Sequence, residues 1–369
     1  MSLQDEIIER SSKIFRDAYQ MSIGELINIY RDGEMDIHPE FQRVFRWSKS
    51  QKTRLIESIM LNIPIPSIFV SQNDEGVWDV IDGVQRLSTI FQFVGIFKDE
   101  TNKSFDPLVL QKTDYLPSFE GMMWQNPNDA SKSFTKEQQL AFKRARIDVI
   151  IVKKESDPNT KYELFERLNT GGSKLSDQEV RNCLMIMTNR DFYSFLNSLS
   201  KNEDFNNCIV ITDRKEDEQF KLELILRLLI AVKMDLGQAS NYNDLKELLD
   251  KEMVKMINVI QDNDYLIIKD KFKRTFKLLN NLLGEDSFRK YSDNKHKGAF
   301  LVGAFQGIAP GIYFNIDKVE KMEAGNIKNK IKNFYEKSVY LDSVKSGARA
   351  VPRFKDLTLF GKEYFSNEN

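Results

Sequence analysis

Cysteine and histidine are nearly absent. The 369 residues hold two cysteines, Cys183 and Cys208, and two histidines, His38 and His296. No CxxC pair occurs, which excludes a disulfide scaffold and a cysteine zinc site and fits a reducing compartment. No HExxH, GxSxG or GxxxxGK[ST] pattern is present, which excludes a zincin, an α/β-hydrolase elbow and a P-loop NTPase. An excess of positive charge is missing too: the net charge is -1, so charge alone implies no nucleic-acid face. Glycine and proline are scarce, at 17 and 9, which argues against linkers and low-complexity sequence. No apolar run approaches the ~20 residues of a membrane helix. The N-terminal "MSLQDEIIERSSKIF" lacks the uncharged apolar core of a signal peptide, so no membrane partner and a cytoplasmic location are expected.

What is present is a chain rich in packing material. It is 41% hydrophobic and 30% charged and carries 26 phenylalanines. Its first half alternates helix and strand signals. "SIGELINIYRDG" opens on Ser22 and Glu25 as a capping box and stops at Gly33. "SKSQKTRLIESIMLN" has a second box, Ser48 with Gln51, and apolar residues at helical spacing. Two prolines lead into a strand over Ser67–Ser71, and "GVWDVID" pairs with it as a hairpin across "QNDEG". Residues 98–145 read as an insertion with short helices, and "RIDVIIVKK" as a buried strand. "NTKYELFERLNTGGSKLSDQEVRNCLMIM" reads as helix, Gly-Gly turn, helix. Beyond about residue 190 the pattern becomes a series of amphipathic helices with almost no strand signal. The basic run "KDKFKRTFK" within it is expected to be a solvated helix face.

Three short segments carry possible chemistry. In "IDGVQR" a strand meets a helix N-terminus, where free backbone N–H groups and the helix dipole favour an anion. Gly83 permits close backbone approach, Arg86 presents a fork for phosphate, and Asp82 is placed to hold a metal ion or orient the arginine. The alternative is that Asp82 caps the helix and Arg86 pairs with a surface carboxylate. In "PEFQRVFRWSKSQ", Gln42, Arg43, Arg46 and Trp47 combine cations with an aromatic ring, suited to stacking a base beside a phosphate, or to packing a core tryptophan. In "ERLNTGGSKLSDQEVRN", Asn169 and Glu179 are oxygen donors of the kind Mg²⁺ takes, although Glu179 also completes a capping box with Ser176.

Taken together and in this order, "PEFQRVFRWSKSQKTRLIESIMLNIPIPSIF", "WDVIDGVQRLSTIFQF" and "YELFERLNTGGSKLSDQEVRN" resemble the family of GmrSD-type N-terminal domains. That family is related to the ParB/sulfiredoxin-like nucleotidase fold. The resemblance covers about residues 20–190. Its D-G-Q-Q-R motif falls on Asp82, Gly83, Val84, Gln85 and Arg86, with Val84 in place of a glutamine. Its Q-R and tryptophan signature falls on Gln42, Arg43 and Trp47. Its L-N-x-G-G-x-x-L-x-x-Q-E-x-R signature falls on Leu168, Asn169, Gly171, Gly172, Leu175, Gln178, Glu179 and Arg181.

The resemblance implies binding and hydrolysis of a nucleoside triphosphate with Mg²⁺. Asp82, Gln85 and Arg86 would then be the catalytic residues. Gln42, Arg43, Trp47, Gly83 and Arg181 would contact nucleotide, and Asn169 and Glu179 metal. Members act in restriction-type defence against phage, sense modified DNA, and fuse this domain to an HNH nuclease. That nuclease needs paired histidines to activate water, and this chain has two histidines in total. The expectation is therefore an α+β protein: a ParB/sulfiredoxin-like domain over residues 1–190 and an all-α domain over 191–369. It would be a nucleotide-dependent regulator with no nuclease centre of its own, partnered by a separate nuclease or effector, or by DNA. The competing reading is a non-catalytic ParB-like module that docks DNA or a nuclease.

Overall fold

The computed structural model describes residues 2–5, 16–37, 47–73, 75–99, 102–153 and 176–366. They form two compact units, Met1–Lys174 and Leu175–Asn369. The chain is α+β, with all five strands of its main sheet in the first unit. The helix at 177–188 folds with the second unit, so that unit begins before residue 191.

The first unit is a mixed sheet covered by helices. Its strands are β1 (Arg16–Ser22), β2 (Met35–Asp36), β3 (Ile68–Gln72), β4 (Trp78–Asp82) and β5 (Arg146–Val152), in the order β1-β5-β3-β4-β2. β1 pairs antiparallel with β5 and β3 antiparallel with β4, while β3–β5 and β2–β4 are parallel. Its helices are α1 (Ile23–Arg31), α2 (Lys49–Met60), α3 (Val84–Phe93) and α4 (Lys136–Arg144). Ser22 caps α1, Ser48 and Gln51 close a full capping box on α2, and Thr135 and Gln138 close one on α4. The apolar faces meet in one core, with Leu26, Ile56, Val70, Leu87, Phe91, Phe93 and Val149 all buried. The insertion after α3 adds Phe134 and Phe142, which meet Phe93 edge to face at 5.0 and 5.5 Å.

β1 has no counterpart in the sequence reading. "RDAYQMS" is largely polar and exposed, because it is an edge strand and only its partner β5 is buried.

The second unit is a helical assembly. It contains α5 (Asp177–Thr188), α6 (Arg190–Ser200), α7 (Glu203–Cys208), α8 (Asp213–Asp217), α9 (Phe220–Lys233), α10 (Leu245–Val259) and α11 (Asp262–Leu283). These are followed by α12 (Val302–Val319), α13 (Ala324–Phe334), α14 (Ser338–Val344) and α15 (Ala350–Tyr364). It is not wholly α. Lys290–Ser292 (β6) and Lys295–Lys297 (β7) form a small hairpin. Its turn residues Asp293 and Asn294 both have positive φ, 53° and 60°, the signature of a type I′ turn. The basic run in α11 is a solvated face: Phe272 and Phe276 turn inward, while Arg274 pairs with Asp270, Asp317 and Glu320.

The tightest packing in this unit joins α12 to α15. Gly303, Gly307 and Gly311 recur every fourth residue on α12, one stripe of a helix. A Cβ on Gly361 of α15 would lie 2.0 Å from the Gly307 carbonyl oxygen. The two backbones touch because neither carries a side chain there. Pro310 lies inside α12 and has no N–H for the Gln306 carbonyl. The Thr358 hydroxyl of α15 donates to that carbonyl at 3.3 Å. Cys183 and Cys208 are buried free thiols, and burial pushes Cys208 up to about 12, which makes it inert.

Candidate functional site

The turn after β4 is built by a bulge and a glycine. Phe69 faces Asp82 and Val70 faces Val80, so Ile81 is the extra residue that bends the end of β4. Gly83 follows with φ 102°, and α3 begins at Val84. A Cβ on Gly83 would stand 2.9 Å from Ile68 Cγ1 and 3.3 Å from an Arg86 amino nitrogen. The backbone therefore approaches closely where a side chain would intrude. Asp82 does not cap α3, whose N-terminus has no side-chain cap at all.

Arg86 folds back over this turn. One amino nitrogen donates to Asp82 Oδ2 at 2.8 Å and to the Ser67 carbonyl at 3.2 Å. The Arg86 side chain is 12% exposed and that of Asp82 is 42% exposed. Arg86 is thus not a surface arginine, and its carboxylate partner comes from the same turn. Its Nε is buried and has no hydrogen-bond partner among the described residues. An uncapped helix start, a glycine packed against Ile68 and an orphaned guanidinium N–H converge within five residues. β2 runs parallel to β4, with Asp36 level with Asp79. The segment that follows contains Gln42, Arg43 and Arg46, which lie outside the described residues. Trp47 is half-buried and packs against the core of the first unit.

Residues 23–186 match the family model described as the GmrSD restriction endonuclease, N-terminal domain. This segment is therefore similar to a GmrSD-type N-terminal domain. Neither a curated protein nor a solved structure matches the chain.

The GmrSD-type segment ends in α5, which carries two further candidates. Glu179 closes a capping box: its carboxylate accepts from the Ser176 N–H at 2.8 Å, and the Ser176 hydroxyl accepts from the Glu179 N–H at 3.3 Å. Arg181 is 1% exposed and spends all three kinds of guanidinium nitrogen inside the second unit. It reaches Gln178 on its own helix at 2.9 Å, Glu223 of α9 at 2.8 Å and Asp250 of α10 at 3.1 Å. Burial opposes its charge, yet Glu223 and Asp250 raise its affinity for the proton above the ordinary value. Glu223 is shared, since Arg227 also pairs with it. Asn169 lies outside the described residues, as does His38. No group of three or more metal-type side chains occurs among the described residues. Likewise, no described helix is long and apolar enough to cross a membrane.

Within the GmrSD-type domain the structure adds a residue that the sequence reading passed over. Lys52 of α2 is buried and donates to Gln92 of α3 at 3.1 Å. Burial pulls its amine down from 10.5 to about 8. Below pH 8 the folded chain carries a buried charge. Between about 8 and 10.5 the unfolded chain binds the proton and the folded one does not, so stability rises with pH across that window. Lys52→Met is expected to melt higher than the parent at pH 7, with the gap closing toward pH 10. Thermal melts of both proteins across that range check this, and a pH-independent gap would refute it. Nothing in "KSQKTRLIESIM" marked Lys52 as inward, because a lysine on a helix is ordinarily solvated.

Proposed function

We propose that the chain binds the phosphates of a Mg²⁺-nucleoside triphosphate at Asp82–Arg86, as the nucleotide-dependent regulator of a restriction-type system acting against phage. The observation that carries this is the buried, unpartnered Nε of Arg86 beside an uncapped helix N-terminus. Both are donors, both are fixed by the fold, and an anion satisfies both. The GmrSD match supports the restriction setting, and with it a ParB/sulfiredoxin-like reading of the first unit and a separate nuclease, effector or DNA as partner.

The residues have separable tasks. Gly83 sets the positive φ that aims the turn at the phosphates. Arg86 supplies the charge-assisted fork, and Asp82 holds that fork in place through the 2.8 Å pair. Asp82 is also the one carboxylate of the turn, and it is open enough to share a cation that arrives with the phosphates, where Mg²⁺ ordinarily keeps few protein ligands. Gln85 stands on the first turn of α3, in position to orient a water or a phosphate oxygen. Gln42, Arg43 and Trp47 would complete the nucleotide contact, and Asn169 the metal contact. Glu179 and Arg181 are assigned instead to holding α5 in place, since their polar atoms are engaged within the second unit.

Arg86→Gln is expected to weaken nucleotide binding about tenfold or more, the loss of a charge-assisted hydrogen bond of roughly 1.5–3 kcal/mol. Arg86→Lys should also bind poorly, because an ammonium lacks the fork. Calorimetric titration of the parent and both variants with each nucleoside triphosphate, with and without Mg²⁺, is the test. Unchanged affinity in Arg86→Gln removes the phosphate role. A parent that binds no nucleotide leaves the reading of a non-catalytic docking module.

A further inference from the structure

The helical unit carries an open concavity of about 500 Å³ that none of the three motifs touches. Its walls bring four cations together: Lys215, Arg227, Arg289 and Arg353. Phe220 and Phe300 and several aliphatic side chains make up the rest. This is a basic, aromatic concavity in a chain whose net charge is -1. The size lies within the range of ordinary small-ligand sites.

The charges in this cavity do not balance. Arg289 forks onto Glu285, with both distances 3.2 Å. Lys215 pairs with Glu218 at 2.8 Å and lies 4.8 Å from the centre of the Phe220 ring. Arg227 pairs with Glu223, a carboxylate it shares with Arg181. Arg353 makes no side-chain hydrogen bond or ion pair among the described residues, and its Nε is buried. The Arg227 Nε is buried and unpartnered as well. Burial first, and then the like charges of Arg181 and Arg353, lower the proton affinity of Arg227 despite Glu223. Two guanidinium N–H groups left unsatisfied at one cavity are a destabilising arrangement that a bound anion relieves.

We propose that this cavity is a second ligand site, separate from the Asp82–Arg86 turn, and that it takes a small aromatic phosphate ester of mononucleotide size. The phosphate sits between Arg353 and Arg227, whose orphaned Nε–H groups it accepts from. The flat ring lies against Phe300 and the aliphatic wall. Arg289 and Lys215 remain on their carboxylates and set the rim. Glu223 ties the site to α5, because Arg227 and Arg181 share that one carboxylate. A phosphate drawn onto Arg227 therefore acts on the pairing that anchors the last helix of the GmrSD-type segment.

The test uses the full chain carrying Arg86→Gln, so that the turn does not contribute. Adenosine and guanosine 5′-monophosphates are titrated calorimetrically without Mg²⁺. Saturable one-to-one binding of at least one is expected. Adding Arg353→Gln should weaken it about tenfold or more. Arg353→Lys, which keeps the charge and loses the fork, should fall between. Arg353→Gln should melt no lower than its parent, since it removes an unpaired cation facing another. The proposal is overturned if neither monophosphate binds, if Arg353→Gln binds as its parent does, or if only a single-stranded oligonucleotide binds. The turn is judged separately, by comparing triphosphate titrations of Arg353→Gln with and without Arg86→Gln, so either site can fail alone.

Discussion

Gly361→Ala is expected to lower the melting temperature of the helical unit more than any other one-carbon change in the chain. The added Cβ would lie 2.0 Å from the Gly307 carbonyl oxygen and 2.8 Å from its carbon. Both are backbone atoms and cannot swing away as a side-chain end would. Overpacking of a well-packed core by side-chain carbons costs about 1–3 kcal/mol. Here two helices must part, and Gly311 on the next turn of α12 already faces the Gly361 carbonyl, so about 3 kcal/mol or more is expected. A control fixes the interpretation. Gly325, near the start of α13, has nothing within 4 Å of its Cβ position. Gly325→Ala should stabilise by about 0.5–1 kcal/mol, through helix propensity and a stiffer unfolded chain. The two variants, melted side by side, should shift in opposite directions. A Gly361→Ala protein that melts with its parent would show that α12 and α15 do not pack this closely.

Arg181→Met is expected to cost about 3 kcal/mol, because it strips a buried cation from between two carboxylates. Glu223 and Asp250 are 13% and 7% exposed. Neither would be abandoned, since Arg227 still faces Glu223 and Lys246 still lies 3.0 Å from Asp250. That places the cost at the low end for a broken buried pair. For a unit of this size the melting temperature should fall by roughly 6–12 °C. Acid should expose the same network. Burial alone would push the Glu223 carboxyl up, but Arg227 and Arg181 hold it below its ordinary 4.5. The unfolded chain then takes up the proton first, and the stabilisation present above pH 4.5 is lost as pH falls through the lower, folded value. The measurement is the pH dependence of melting for the parent and for Arg181→Met, together with their triphosphate affinity. An undiminished melting temperature with lost nucleotide affinity would return Arg181 to the ligand.

Much of the first unit was legible in the sequence, because its signals are local. The Ser48–Gln51 box, the helix after Gly83 and the hairpin across "QNDEG" each depend on residues within a few positions of one another, and the structure has all three. β1 was not legible, since its warrant is β5, more than a hundred residues away in the chain. The small hairpin β6–β7 was passed over because each strand is three residues long, although Asp293-Asn294 was a usable turn signal. At the turn, the residue types of Asp82, Gly83 and Arg86 pointed to an anion. That Arg86 pairs with Asp82 and is largely buried depends on how β3 brings Ser67 and Ile68 beneath it. Glu179 and Arg181 show the opposite limit. Their spacing in the motif is visible, but their partners Glu223 and Asp250 are supplied by helices that no local pattern links to α5. The cavity arginines are separated by dozens of residues, and only the fold assembles them.

The contact between α12 and α15 also bears on how the protein is made. Translation delivers α12, with its glycine stripe and apolar flanks, tens of residues before α15 exists. Until the segment around Gly361 leaves the ribosome, the carbonyls of Gln306 and Gly307 and the grooves beside them have no cover. The helical unit therefore closes late, and its nascent chain presents an adhesive α12 surface that a holding chaperone would recognise. Slowing translation between the codons of Val319 and Ala350 should lengthen that exposure. Loss of α15 should shift yield from native protein to aggregate even though every helix before it is intact.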